Sequence, residues 1–130
     1  MDYGPLVKEE IDAGAKLARE FDKFAPIKSA FWLKASDEDQ RYLYLASDGI
    51  VETNRRAAIL EMLRIASNIE SPYFDPFRVK IINGDNPLAL AAVDINTRFP
   101  GTKPTFLGGP FGGMYADDGY LYPQPLPEVL

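Results

Sequence analysis

The sequence predicts an α+β fold: a two-layer sandwich with three helices packed on one face of a mixed four- to five-stranded sheet. Three observations predict it. Three stretches carry apolar residues at helical spacing, the stretch from Ile27 to Ala46 alternates with a period of two around a polar break, and the elements follow in the order α-β-β-α-β-α-β with no repeat or linker. A single domain over residues 1–130 follows.

The first helix is expected from Pro5 to about Phe24. Val7, Ile11, Ala18 and Phe21 form its apolar stripe, Pro5 suits its first turn and Pro26 stops it. Gly14 falls on the apolar side, where a missing side chain lets a helix lie close to a sheet. Next, IKSAFWLKA, the break SDEDQ and RYLYLA read as a β-hairpin. With Ala35 opposite Arg41, Leu33 faces Leu43 and Phe31 faces Leu45. Ile27, Phe31, Leu33, Leu43 and Leu45 then share one face, and Lys28, Trp32, Lys34, Tyr42 and Tyr44 share the other. A slip of one residue would mix the faces, which a half-buried sheet disfavours.

Thr53 or Asn54 caps a second helix, RRAAILEMLRIASNI, whose apolar face is wide. A helix so apolar packs on more than one side or lies at a subunit interface. After Ser71–Pro76, FRVKII is a strand with Phe77, Val79 and Ile81 on one side and Arg78, Lys80 and Ile82 on the other. Asn86 caps and Pro87 begins the third helix, with Leu88, Ala92, Ile95 and Phe99 as its stripe. A short strand at Pro104–Leu107, the loop GGPFGGM and a last strand at Tyr120–Tyr122 complete the order. The Gly-, Pro- and Tyr-rich segment 108–130 is expected to cover the sheet or a partner subunit.

Composition narrows the function. The 130 residues are 46% hydrophobic and 25% charged, a globular balance. No apolar run reaches the roughly 20 residues that span a bilayer, and MDYGPLVKEE lacks the features of a secretory signal, so a cytoplasmic location without membrane partners is expected. There is no cysteine and no histidine. Thiolate or imidazole catalysis and sulfur- or histidine-ligated metals are therefore outside this chain's chemistry. The expectation is no cofactor and no metal. A net charge of −5 argues against duplex nucleic acid as a partner.

Four groups carry candidate chemistry. Lys28, Trp32, Lys34, Tyr42, Tyr44, Arg78 and Lys80 would gather rings and cations on the sheet face away from the helices, a surface suited to a small anionic or aromatic ligand or to a second subunit. Gly108 to Gly113, with Gly109 and Gly112 at its centre and Tyr115 beside it, could bring backbone N–H groups to an anion, although a bend or a lid is simpler. Asp75, Asp85, Asp94, Asp117 and Asp118 are dispersed carboxylates with no metal-loop spacing. Arg55, Arg56 and Arg64 could meet an anion or a partner, although ordinary surface solvation beside Glu52 and Glu61 is the simpler account.

The reading is a non-catalytic interaction or ligand-binding module, a homodimer that uses the aromatic and cationic sheet face. One alternative is a small enzyme acting on an anionic metabolite, with Asp94 or Asp117 as base and Tyr115 or Lys80 as acid. The other is a regulatory protein of toxin or antitoxin type that works through a protein partner, with the extended tail PQPLPEVL available for binding.

Overall fold

A computed structural model describes residues 6–101, 103–124 and 126. Pro5 and most of the tail, at residues 125 and 127–130, lie outside the described residues. The chain runs α1 (Lys8–Asp22), β1 (Ser29–Ala35), β2 (Tyr42–Ser47), α2 (Arg55–Ala66), β3 (Val79–Asn83), α3 (Pro87–Arg98), β4 (Thr105–Phe111) and β5 (Met114–Leu121). Short 3-10 turns at Glu52–Asn54 and Pro76–Arg78 precede α2 and β3. The α+β class, the three helices and the mixed five-stranded sheet are those the sequence predicts.

The strands lie in the order β3-β2-β1-β5-β4. Only β2 and β3 are parallel, joined by α2 as a β-α-β unit. The connection from β3 to β4 must instead travel from one edge of the sheet to the other. Four inter-strand steps of about 4.8 Å need about 19 Å, and the 12 residues of α3 supply about 18 Å. Asn86 accepts from the Leu88 N–H and Pro87 occupies the first turn, as the sequence predicts.

The helices divide between the two faces. Leu17, Phe21 and Met62 of α1 and α2 pack with Trp32, Leu43 and Leu45. Leu88, Ala89 and Ala92 of α3 pack with Phe31, Leu33 and Tyr44. This distribution corrects the expected placement of every helix on one face, and it follows from the span α3 has to cross.

It also corrects the hairpin register. Phe31 lies opposite Tyr44, Trp32 opposite Leu43 and Leu33 opposite Tyr42, one residue away from the expected pairing. The expectation assumed one wet face, and a wet face is what makes a slip costly. β1 is buried along its whole length. With apolar layers on both sides, each face accepts rings and aliphatic side chains alike.

The glycine segment is strand rather than loop. Gly108 and Gly109 lie within β4, where the pairing with β5 shifts between Leu107 and Gly109. Gly112 and Gly113 form the two-residue turn to β5 with φ of +59° and +88°, as a type I′ turn requires. β5 pairs with β1 in the plane of the sheet.

Candidate functional site

The corrected register disperses the expected aromatic and cationic face. Trp32, 1% exposed, lies beneath α1, and its indole N–H donates to the Tyr122 hydroxyl at 3.0 Å. Arg78 stands 5.9 Å from the indole centre and joins an ion cluster with the buried Glu10 and Arg41 and the half-exposed Asp118. Tyr42, Tyr44 and Lys80 do come together, but on the α3 side. There the Lys80 ammonium sits 4.1 Å from the Tyr42 ring and 3.1 Å from Glu38, and Tyr44 stacks on Phe31.

Burial pushes the Tyr44 hydroxyl above its usual pKa. Burial opposes the ammonium of Lys80, but its hydrogen bond to Glu38 and the nearby charges outweigh that and raise it. Both groups therefore keep their ordinary protonation at neutral pH. The remaining residues lie apart. Lys28 pairs with Asp48, Lys34 with Asp117, and Tyr115 is exposed beyond the Gly112 turn, with Gly109 in the bulged stretch of β4.

The groups of the enzymatic alternative have separate partners as well. Asp94 pairs with Arg98 on the exposed side of α3, Asp117 with Lys34 and Lys80 with Glu38. No cluster of three or more metal-ligating side chains occurs among the described residues. No helix among them is long and apolar enough to cross a membrane.

A different site emerges at the β3 edge. Asp75 accepts from the Phe77 N–H and Pro76 occupies the first position of the 3-10 turn, so strand geometry begins only at Val79. Phe77 is released from the inward alternation expected of it and is 84% exposed. It lines a groove of about 470 Å³ between α2 and β3, with Ile59, Leu63, Pro76, Val79 and Ile81. α2 is buried through Ala58, Met62, Ile65 and Ala66. Its other side presents Ile59 and Leu60, the latter 58% exposed. The even spread of apolar residues around RRAAILEMLRIA was the sequence signal for this site, and Asp75-Pro76 was the signal for Phe77.

Arg55 opens the groove at the start of α2, where its guanidinium donates to the Ile81 carbonyl at 2.6 Å. A larger hollow of about 660 Å³ lies at the far edge, lined by Phe99, Pro100, Gly101, Lys103 and Pro104 with Thr105 and Phe106 at the start of β4. The β3 groove is framed by two regular elements, which hold its shape. Comparison of the chain with protein-family models, with curated proteins and with solved structures gives no match.

Proposed function

We propose that this protein is a non-catalytic interaction module that receives a protein partner along β3 and the adjoining side of α2. The observation that carries the reading is Phe77, an aromatic ring 84% exposed beside an apolar groove. Ile59 and Leu60 extend the apolar surface along the helix. Aromatic anchors next to well-formed apolar hollows are where binding energy concentrates, and large exposed apolar groups in one place mark interaction surfaces. The dispersal of Asp94, Asp117, Lys80 and Tyr115 weighs against the enzymatic alternative. The cytoplasmic setting expected from the sequence belongs to the same proposal.

Self-association has its own observation, at the opposite edge. Phe106 on β4 is 78% exposed and Phe99 is exposed nearby. A homodimer formed there leaves the β3 groove free, and elution above monomer size that is lost in Phe106→Ser is its readout.

The interface reading is tested by panning a phage-displayed random peptide library on the wild-type protein with counter-selection on Phe77→Asp. The exposed position lets the variant keep its fold, checked as an unchanged melting temperature. Binders that require Phe77 are the expected result. If no enriched peptide distinguishes the two proteins, the reading falls.

A further inference from the structure

The outer edge of β3 is closed to another strand, because each residue that turns its backbone away from β2 has one group already engaged. The Val79 N–H donates to the Pro76 carbonyl, the Ile81 carbonyl accepts from Arg55 at 2.6 Å, and the Asn83 carbonyl accepts from the Asn86 N–H at 3.1 Å. A partner beside this edge is therefore held by side chains. An extended segment lying there would leave its own backbone groups without a ladder, whereas a helix arrives with its backbone already bonded.

The side of α2 that borders the groove suits such a helix. At about 100° of turn per residue, Ile59, Leu60 and Leu63 fall within one apolar stripe, and Arg56 lies on the same stripe at its N-terminal end. Glu61, the single carboxylate of α2, lies on another side and pairs with Arg64. Most lysines and arginines of this acidic chain sit against carboxylates in the same way, as in Lys28–Asp48, Lys34–Asp117 and Lys80–Glu38. Among the described residues none of these pairs involves Arg55 or Arg56, although Glu52 and Glu61 are close in sequence. Both arginines occupy the first turn of α2, where cations oppose the positive end of the helix dipole. Asn54 does not relieve this, because its side chain is engaged with Val51 and Gly49.

Resting on the interface reading above, we infer that the groove takes an amphipathic, acidic helix of a partner protein. Its apolar stripe lies on Ile59, Leu60, Leu63 and Phe77, and a carboxylate meets Arg55 and Arg56. From Arg55 to Leu63 α2 rises about 12 Å, so about two turns of the partner helix lie along the groove. The added helix extends the layer that α1 and α2 form on this side of the sheet. Apolar anchors at helical spacing supply affinity. The two arginines and the positive end of the α2 dipole select for acid. A second copy of this chain is a poor occupant, because its α1 keeps the apolar face in its own core and its α2 brings the same arginines.

The test uses the full chain and fluorescein-labelled synthetic peptides of about 15 residues, read by anisotropy. One carries leucines at helical spacing on a background of alanine and glutamate, one has lysine in place of glutamate, and a third is the glutamate peptide with a central proline. The wild-type protein is expected to bind the glutamate peptide at least about tenfold tighter than either of the others. Arg56→Glu is expected to reverse the preference between the two charges, and Phe77→Asp to abolish binding. Equal binding of both charges, indifference to the central proline, no binding of the glutamate peptide, or binding that survives Phe77→Asp overturns the inference. A dimer of the wild-type protein that Leu60→Asp disperses puts a second copy in the groove and overturns it as well. Phe77-dependent library binders that are basic, or that tolerate a central proline, overturn it while leaving the interface reading intact. A library that yields no Phe77-dependent binder overturns both.

Discussion

The indole N–H of Trp32 donates to the Tyr122 hydroxyl at 3.0 Å, and that hydroxyl donates in turn to the Ile11 carbonyl at 2.6 Å. One oxygen thereby ties the central strand, the segment that leaves the last strand, and the first helix. Tyr122→Phe keeps the ring but leaves the buried indole N–H without its partner and removes the second bond to the Ile11 carbonyl, which keeps its partner within α1. The expected cost is about 1–3 kcal/mol, read as a lower urea midpoint. Trp32, the single tryptophan of the chain, provides the fluorescence signal.

Alkaline stability follows from the same group. Burial pushes the Tyr122 hydroxyl far above its ordinary pKa, and burial likewise raises Tyr44 and Tyr120. Above the usual tyrosine pKa of about 10, the folded chain holds a proton on Tyr122 that the unfolded chain has lost. Stability is therefore undiminished below about pH 10 and falls as pH rises beyond it. The slope in Tyr122→Phe is expected to be shallower by about 1.4 kcal/mol per pH unit, measured by urea denaturation across the alkaline range.

Gly14 is where α1 comes closest to the sheet. A Cβ there would lie 2.5 Å from the Tyr122 oxygen, 3.1 Å from the Trp32 indole nitrogen and 3.3 Å from Leu43. Gly14→Ala raises helix propensity by about 1 kcal/mol, yet it pushes the helix off the hydrogen-bonded pair beneath. Net destabilisation of about 1–3 kcal/mol is expected. A raised melting temperature would show that the close approach does not matter.

Arg41, 1% exposed, lies 3.3 Å from Asp118 and 4.0 Å from Glu10, while Arg78 lies 3.6 Å from the other Glu10 oxygen. Arg41→Met leaves Glu10 with Arg78 as its cation and takes the Arg41 contact from the half-exposed Asp118, and the expected loss is about 1–3 kcal/mol. Lys8→Met removes the solvent-exposed pair with Asp12 and is expected to leave the urea midpoint where it was. Equal effects of the two substitutions would contradict the assignment of the Arg41 cluster as part of the core.

Local chemistry was legible wherever neighbours in sequence decide it. The stripe of α1, the Asn86-Pro87 start of α3 and the strand character of SAFWLKA and YLYLAS all follow from spacing and capping residues. The apolar excess of α2 was legible too, along with its two meanings of a buried helix or an interface. Phe77 was misread because alternation was started directly after Pro76, where the 3-10 turn Pro76–Arg78 capped by Asp75 takes precedence over it.

By itself, then, the sequence determined an α+β chain, its three helices with the Asn86-Pro87 start of α3, and the absence of thiol and imidazole chemistry. Only the tertiary structure decided which face of β1 Trp32 occupies, because strand periodicity separates two sides without saying what covers each. That choice depended on α3 crossing the sheet on the opposite side from α1 and α2, a long-range outcome set by the order of the strands. The same packing brought Arg55, Ile59 and Phe77 together beside β3, since they come from segments that meet only when β3 pairs with β2.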